Sequence, residues 1–334
     1  MRPGPAAAAL LALACLAAAP PPAYDWRLPP GVAPPPVPAG NPMSEAKVAL
    51  GRRLFYDADL SVDGTMACAT CHEQRRGFAD GNRTHAGVTG EPGRRNVMSL
   101  ANVGYLPVLT WADDRQTTLE AQALVPVTGD HPVEMGMGGH AGAVAERLGG
   151  DACYRRLFAA AFPETGGRID LGAVVKAVAA FERTLVSVDA PYDRDRRGLA
   201  RLPEDARRGA AVFERRCGTC HSGPAFTDAR FHDLGLGTGE DPGVAEINGR
   251  AEDRGRFRTA GLRNVALSAP YLHDGRAGTL AEAIAAHGPE IAPRPGELGD
   301  VIAFLGALTD QDFVTDPRFS LPPRGCPGSG RKGE

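Results

Sequence analysis

The apolar residues of the chain recur with the spacing of amphipathic helices. Between Ser44 and Asp57 they include Val48, Leu50 and Leu54, and Ser44 is placed to cap the amino end of a helix. No convincing run alternates apolar and polar residues as a strand would, so we predict a mostly α-helical fold. Further helical patterns span Thr117–Leu124, Ala143–Leu148, Tyr154–Phe162, Leu171–Val186, Pro203–Arg216, Thr279–Ala286 and Glu297–Leu308, with a loop over Gly77–Pro92 and a hinge over Asp189–Arg201.

Landmarks in the first half of the chain return in the second half. Each half has a helical Gly-x3-Phe pattern, then a Cys-x-x-Cys-His pentad, then Phe-x-Asp, and later a matching helix start. A series of motifs that recurs in the same order over this length predicts two duplicated domains. The paired landmarks are Gly51–Phe55 with Gly209–Phe213, Phe78–Asp80 with Phe226–Asp228, residues 99–103 with 261–265, and Asp113–Leu119 with Asp274–Leu280.

The length of the chain agrees with a division into two domains, and its charge argues against a nucleic-acid partner. The 334 residues suffice for roughly two domains of ordinary size. A hydrophobic content of 43% and a formal net charge of -3 describe a soluble globular protein. Without a basic bias, we expect no nucleic-acid partner.

The amino-terminal residues predict an exported protein. Arg2 precedes the apolar run Ala6–Ala19, which is too short to span a bilayer and is typical of a signal peptide. Cys15 lies in Ala-Leu-Ala-Cys, a loose match to a lipoprotein processing site, so it is either a lipid anchor or an apolar residue discarded with the signal. Residues 20–42 are rich in proline and low in pattern, which predicts a linker without a core.

The two pentads carry the strongest chemical signal. A Cys-x-x-Cys-His sequence is typical of covalent c-type haem attachment, in which the thiols form thioethers with the porphyrin and the histidine ligates iron. A redox Cys-x-x-Cys or half of a zinc site is less favoured, because the same pentad occurs twice in an exported chain. Two covalently bound haem c groups are therefore predicted. The attachment residues are Cys68, Cys71 and His72, then Cys217, Cys220 and His221.

The duplication also distinguishes the two irons. His287 lies seven residues beyond Leu280, whereas Pro126 lies seven residues beyond the equivalent Leu119. Imidazole is an iron ligand and proline is not. We therefore predict that His287 closes the second haem and that the first haem keeps an open face, unless His287 is a solvated helix histidine.

The predicted open face has two polar candidates nearby in sequence. Gln122 follows Leu119 on the same predicted helix, and Glu134 lies in Pro-Val-Glu-Met-Gly. A carboxylate beside iron-bound peroxide can move a proton from the inner to the outer oxygen, and an amide can position the peroxide. Elsewhere, either residue would more often be a surface group.

Two further cysteines, Cys153 and Cys326, belong to neither pentad. In an oxidising compartment they can pair, but the sequence leaves open whether they meet.

Together these residues resemble the bacterial dihaem cytochrome c peroxidase and MauG superfamily, from Lys47 to Ser320. Short stretches are most similar to the MauG-like group that includes the methanobactin-associated MbnH. The markers are both pentads, Arg95-Asn96, Trp111, Gln122, residues 132–136, Leu262–Val265 and Ala269–Gly275.

The resemblance implies a peroxide-reactive first haem, an electron-transfer second haem and a calcium ion between them. It thereby implies an N-terminal peroxidatic domain over 43–189, a C-terminal electron-transfer domain over 190–322, and a tail over 323–334. The positions that match family sites are Asn96, Ser268 and Pro270 for calcium, Trp111 for the tryptophan between the haems, Glu134 for the distal acid and Gln122 for the distal amide.

Two positions depart from the pattern. Peroxidases of the family often have methionine, and MauG has tyrosine, where this chain has His287. Val88 replaces the distal histidine of some classical peroxidases, and the nearby His85 is out of register. The resemblance therefore implies a first haem that is open at rest, as in MauG.

Three functions follow as hypotheses. The first is a periplasmic MauG-like enzyme that uses hydrogen peroxide to oxidise a partner protein; members of the similar group oxidise a tryptophan of a copper-binding partner to kynurenine. The second is a peroxidase that scavenges hydrogen peroxide with electrons from a small cytochrome or cupredoxin. The third, a non-catalytic electron carrier, is disfavoured by the open first haem and Glu134.

Overall fold

The computed structural model describes residues 24–237, 239–323 and 325–326. The predicted signal peptide with Cys15, the first residues of the linker and most of the predicted tail lie outside this part of the chain. No helix in the described part is long and apolar enough to cross a membrane.

The described chain is mostly helical, as predicted. Its single sheet is an antiparallel pair of short strands, β1 (Phe231–Asp233) and β2 (Arg256–Arg258), which the sequence pattern did not predict. The helices are α1 Glu45–Phe55, α2 Cys68–Cys71, α3 Leu119–Thr128, α4 Ala141–Gly150, α5 Ala152–Ala161, α6 Leu171–Arg183, α7 Pro191–Arg196, α8 Glu204–Arg216, α9 Ala245–Asn248, α10 Leu280–Ala285, α11 Leu298–Gly306 and α12 Gln311–Thr315.

Hydroxyl caps set the beginning of several helices. The Ser44 side chain accepts a hydrogen bond from the third residue of α1, as predicted from its position. Thr118 and Thr279 cap α3 and α10 in the same way. The equivalent helices of the two halves therefore begin in the same register.

A close helix crossing organises the core of the first half. Helices α1 and α6 approach so closely at Gly51 that an added Cβ would lie 1.8 Å from the carbonyl oxygen of Ala177. Leu54 and Phe55 of α1 are fully buried, and the Phe55 ring lies 5.2 Å from that of Phe181. Glycine is required here because any side chain would separate the two backbones.

The second half repeats this crossing with α8 and α11. An added Cβ at Gly209 would lie 1.8 Å from the carbonyl oxygen of Asp300, and the rings of Phe213 and Phe304 are 5.0 Å apart. The predicted Gly-x3-Phe landmarks thus mark one packing arrangement that is used twice.

Two equivalent asparagines join the halves. The Asn102 amide exchanges hydrogen bonds with the backbone of Ser187, from Nδ2 to the carbonyl at 2.9 Å and from the Ser187 N–H to Oδ1 at 2.8 Å. Asn264 donates to Ser187 Oγ at 3.0 Å and accepts from the N–H of Asp310 at 2.8 Å. Both asparagines adopt left-handed backbone conformations. Each therefore turns its segment toward Ser187, which lies in the connection between α6 and α7.

The connecting segments are more ordered than their composition suggests. The predicted hinge contains α7, and residues after α11 return to the first core through Phe313 and Phe319. Residues 24–42 lack helix and strand, but Asn41 is buried and donates to Glu120 Oε1 at 2.6 Å. The end of the predicted linker is therefore packed on the first half.

The structure answers the question about the remaining cysteines. Cys153, on α5, forms a disulfide with Cys326 near the carboxyl end of the described chain. The bridge attaches this end to the first half.

We predict that Gly51→Ala and Gly209→Ala each destabilise the protein by about 1–3 kcal/mol or more, because the new Cβ overlaps a carbonyl of the crossing helix. Urea unfolding midpoints of the single variants measure the effect. Gly149→Ala in α4, where the added Cβ meets nothing within 4 Å, is the control and should be neutral or slightly stabilising. Unchanged midpoints for both crossing variants would contradict the packing argument.

Candidate functional site

The first pentad forms the short helix α2, and His72 follows at its end. Burial raises the pKa of Cys68 and raises that of Cys71 to about 12, and neither thiol is in a disulfide. His72 Nδ1 lies 2.8 Å from the carbonyl oxygen of Phe78. Since a carbonyl only accepts, Nδ1 carries the proton, and the Nε2 lone pair is free to bind a metal. Burial also lowers the pKa of His72, which favours the neutral ligand form.

The second pentad has the same arrangement. His221 Nδ1 donates to the carbonyl of Phe226 at 3.1 Å, and burial lowers the pKa of His221 to about 4. Phe78 and Phe226, at equivalent positions, have φ values of 62° and 54°. These strained left-handed residues turn a carbonyl toward each histidine.

His287 lies opposite His221. Their ring centroids are 6.2 Å apart, and His287 Nδ1 donates to the carbonyl of Ala283 at 2.9 Å. Two imidazoles on opposite sides of one metal, with bonds of about 2 Å each, leave ring centroids on the order of 6 Å apart. The cavity here measures about 480 Å³, and its walls are mainly apolar. Its lining includes Leu280 and Ile284 from α10, so the site suits an apolar macrocycle with two histidine ligands.

The equivalent place in the first half has no imidazole. Pro126 lies inside α3, at the same distance from the capping Thr118 as His287 lies from Thr279. Proline has no ligand atom to offer from its side chain. The difference predicted from the sequence register is therefore present in the structure.

Glu134 lies within electrostatic range of the first pentad, and its neighbour Met135 is bonded to α3, the helix that carries Gln122. Gln122 lies one turn before Pro126 on α3, and the N–H of Met135 donates to the Pro126 carbonyl at 2.9 Å. Burial raises the pKa of Glu134, whose carboxylate in turn raises the pKa of the Cys71 thiol. A half-buried acid thus lies within electrostatic range of the first haem-attachment residues.

Trp111 lies in the wall of the cavity that contains His221 and His287. Its indole Nε1 donates to the Asn96 carbonyl at 2.8 Å. Asn96, Ser268 and Pro270 line the same cavity, so the structure brings the predicted calcium residues and the predicted bridging tryptophan together. Gln122 and Glu134 instead belong to the first half.

Sequence reasoning missed several charged residues of these sites. Arg258 is buried and lines the cavity beside Trp111, where it donates to the Thr110 carbonyl at 3.0 Å and forms no ion pair with a described carboxylate. Burial lowers the pKa of Arg258 to about 10. Nothing in its sequence context distinguishes it. Asp80 and Asp228, noted only as repeat landmarks, each bind a histidine at 2.8 Å.

Comparison with known proteins identifies the family. A family model described as di-haem cytochrome c peroxidase matches residues 45–201. The methylamine utilization protein MauG of Methylorubrum extorquens is 38% identical over 294 residues, which cover 82% of this chain and 81% of MauG. The chain belongs to the di-haem cytochrome c peroxidase and MauG family.

Other members of the family carry both kinds of name. Cytochrome c551 peroxidase of Pseudomonas aeruginosa is 31% identical over 85% of this chain and 83% of its own length. A crystal structure of a MauG-like protein associated with microbial copper homeostasis superposes with a TM-score of 0.85 and 38% sequence identity. The match covers 90% of this chain and 99% of that one. The predicted family and enzyme class, a dihaem oxidoreductase with two haem groups, are confirmed.

The geometry at His287 predicts different spin states for the two haem irons. In the oxidised holoprotein we expect one high-spin and one low-spin haem, because Pro126 and His287 occupy equivalent places. His287→Ala should convert the low-spin signal in electron paramagnetic resonance and leave the high-spin signal largely unchanged. The control is His140→Ala, an exposed histidine. Two low-spin haems in the untreated protein would contradict an open first site.

Proposed function

We propose that this member of the family is a periplasmic enzyme that reacts with hydrogen peroxide at the first haem and uses the oxidising equivalents on a partner protein. The observation that carries the proposal is the asymmetry between Pro126 and His287, together with the half-buried acid Glu134. Export is supported by the leader-like sequence, and the Cys153–Cys326 disulfide suits an oxidising compartment.

The two haems would be held covalently. The donor sets are two cysteines for the porphyrin and a histidine for iron in each half, with His287 as a second histidine in the C-terminal half. Bound haem supplies the iron at which the peroxide O–O bond is cleaved and the oxidising equivalents are held. The protein contributes oriented imidazoles, because each Nδ1 donates to a backbone carbonyl and leaves Nε2 toward the haem site.

Glu134 and Gln122 would handle the peroxide. As a carboxylate, Glu134 accepts the proton of the inner oxygen and returns it to the outer oxygen, which leaves as water. Gln122 would orient the peroxide through its amide. Pro126 supplies no competing ligand at this face.

A calcium ion would connect the halves near Trp111. Asn96 comes from the first half, whereas Ser268 and Pro270 come from the second, and oxygen ligands of this kind suit a hard cation. The carbonyls of Ser268 and Pro270 accept no hydrogen bond from any described residue, which leaves both available. Because the Asn96 carbonyl holds the Trp111 indole, the ion would also stabilise the position of the tryptophan.

Trp111 would carry oxidising equivalents between the haems, because an indole is oxidisable and this one lies in the wall of the second haem cavity. The partner would be a copper-binding protein whose tryptophan is oxidised. This choice is supported by the 38% identity to the MauG-like protein described as associated with copper homeostasis. The alternative, scavenging of hydrogen peroxide with electrons from a small cytochrome or cupredoxin, is supported by the relatives named cytochrome c peroxidase.

We predict that Glu134→Gln binds both haems but cleaves peroxide about 10²- to 10⁴-fold more slowly, the usual range for a lost general acid–base group. Because the carboxylate form accepts the first proton, the wild-type rate should rise as the pH passes the raised pKa of Glu134. The rate of the glutamine variant should lack this rise. Stopped-flow absorption with hydrogen peroxide measures both effects, and an unchanged rate would demote Glu134 to a structural residue.

We also predict the fate of the oxidising equivalents. When enzyme and hydrogen peroxide are mixed with a small copper-binding partner protein, the partner should gain oxygen on a tryptophan, detected by mass spectrometry. Trp111→Phe should abolish the mass gain, and Trp26→Phe, which replaces the other tryptophan, should not. Rapid multiple-turnover oxidation of a reduced small cytochrome, without a change in partner mass, would instead favour the scavenging peroxidase.

A further inference from the structure

A buried arginine in the wall of the second haem cavity has no anion beside it. Arg258, the last residue of β2, is 3% exposed and lines the cavity that also contains His221 and His287. Its side chain bonds to two backbone carbonyls and a sulfur, and to no carboxylate of the described chain. A buried cation is costly unless an anion accompanies it, so this site calls for an anionic ligand.

The guanidinium of Arg258 has unused donors. It carries five N–H groups, and three of them have acceptors in the described chain. Nε donates to the Thr110 carbonyl at 3.0 Å, Nη1 to the Thr259 carbonyl at 3.3 Å and Nη2 to the Met98 sulfur at 3.3 Å. One N–H on each terminal nitrogen is left without an acceptor among the described residues. These donors suit a carboxylate, whose oxygens accept short, charge-assisted bonds from arginine.

The other charged side chains of this cavity do not supply the missing anion. Arg263 is already paired with Asp193, and the half-buried Arg216 donates to the backbone carbonyl of Glu290 at 3.0 Å. Asp233 is the single carboxylate in the described lining, and it is exposed. The lining therefore carries more positive than negative charge around a space that suits a haem.

We propose that Arg258 is the counter-ion of a propionate of the second haem. A haem carries two propionates, and covalent attachment at Cys217 and Cys220 would keep them in this cavity together with the ring. Arg258 would bind one propionate through the N–H groups that have no acceptor in the protein. The inference deepens the second haem site of the proposed function and rests on it.

The same arginine also holds the backbone of Trp111. Its Nε binds the Thr110 carbonyl, and its own backbone N–H donates to the Trp111 carbonyl at 2.7 Å. Arg258 thus bonds to the peptide carbonyls on both sides of the tryptophan Cα. With a propionate bound, this one side chain would fix the position of the second haem relative to Trp111.

The first test is the reduction potential of the second haem. A cation at a propionate stabilises the ferrous haem relative to the ferric haem, which carries one more positive charge. In the holoprotein, Arg258→Gln should shift the equilibrium of the low-spin haem about tenfold toward the ferric form, a fall in potential of about 59 mV. Arg258→Lys, which keeps the cation, should restore most of the potential. Spectroelectrochemistry measures both variants.

The matched control is Arg256→Gln, two residues earlier on the same strand. Arg256 is exposed and pairs with Asp253 at 3.5 Å, so its loss should leave the potential of the second haem unchanged. An unchanged potential in Arg258→Gln overturns the inference, and so does an equal fall in Arg256→Gln.

The second test distinguishes a bound propionate from a cation that acts at a distance. The haem propionates are labelled with carbon-13 at their carboxyl carbons, and infrared difference spectra between the oxidised and reduced holoprotein identify their bands. A labelled carboxylate band should shift in Arg258→Gln and stay in place in Arg256→Gln. A fall in potential with no change in any labelled band overturns the pairing with a propionate.

A crystal structure of the unchanged holoprotein tests the inference even if the variants fail to bind haem. A terminal nitrogen of Arg258 should lie about 2.7–2.9 Å from a propionate oxygen of the second haem. A guanidinium without that contact overturns the inference. Absence of a peroxide reaction in the wild type counts against the proposed function and leaves these measurements unaffected, since none of them uses peroxide.

Discussion

A hydrogen bond from a half-buried histidine Nδ1 to a backbone carbonyl is the constraint on which the rest of the site depends. It occurs at His72, His221 and His287, and each time it leaves Nε2 as the free ligand atom. In the two pentads the accepting carbonyl belongs to a phenylalanine in a left-handed conformation. That strained turn is held by the core below it, where Phe78 and Phe226 pack against Phe55 and Phe213. The packing of the core therefore also sets the orientation of the histidines that would ligate iron.

Much of the fold and of the candidate site could be predicted from the sequence, because the motifs that encode them are local or repeated. Predicted and observed helices agree to within a few residues, as for the first helix, predicted over 44–57 and observed over 45–55. Pentads, caps and the Gly-x3-Phe pattern are short and periodic. The difference between Pro126 and His287 was predictable because the capped helices α3 and α10 begin in the same register.

The remainder depends on contacts between residues distant in the chain, which no local pattern encodes. The Cys153–Cys326 disulfide, the return of Phe313 and Phe319 to the first core and the short sheet all need the folded molecule to bring their partners together. The same holds for Arg258, whose burial beside Trp111 follows from the meeting of two halves.

The hydrogen bonds of Asn102 and Asn264 at Ser187 have a consequence for the proposed transfer of oxidising equivalents between the haems. Tunnelling between redox centres weakens steeply as the gap between them widens. These two asparagines belong to the segments that follow the two pentads. Both are hydrogen-bonded to Ser187, in the connection between α6 and α7. If oxidising equivalents pass between the haems as proposed, this shared attachment at Ser187 would help to fix the distance between the two pentads.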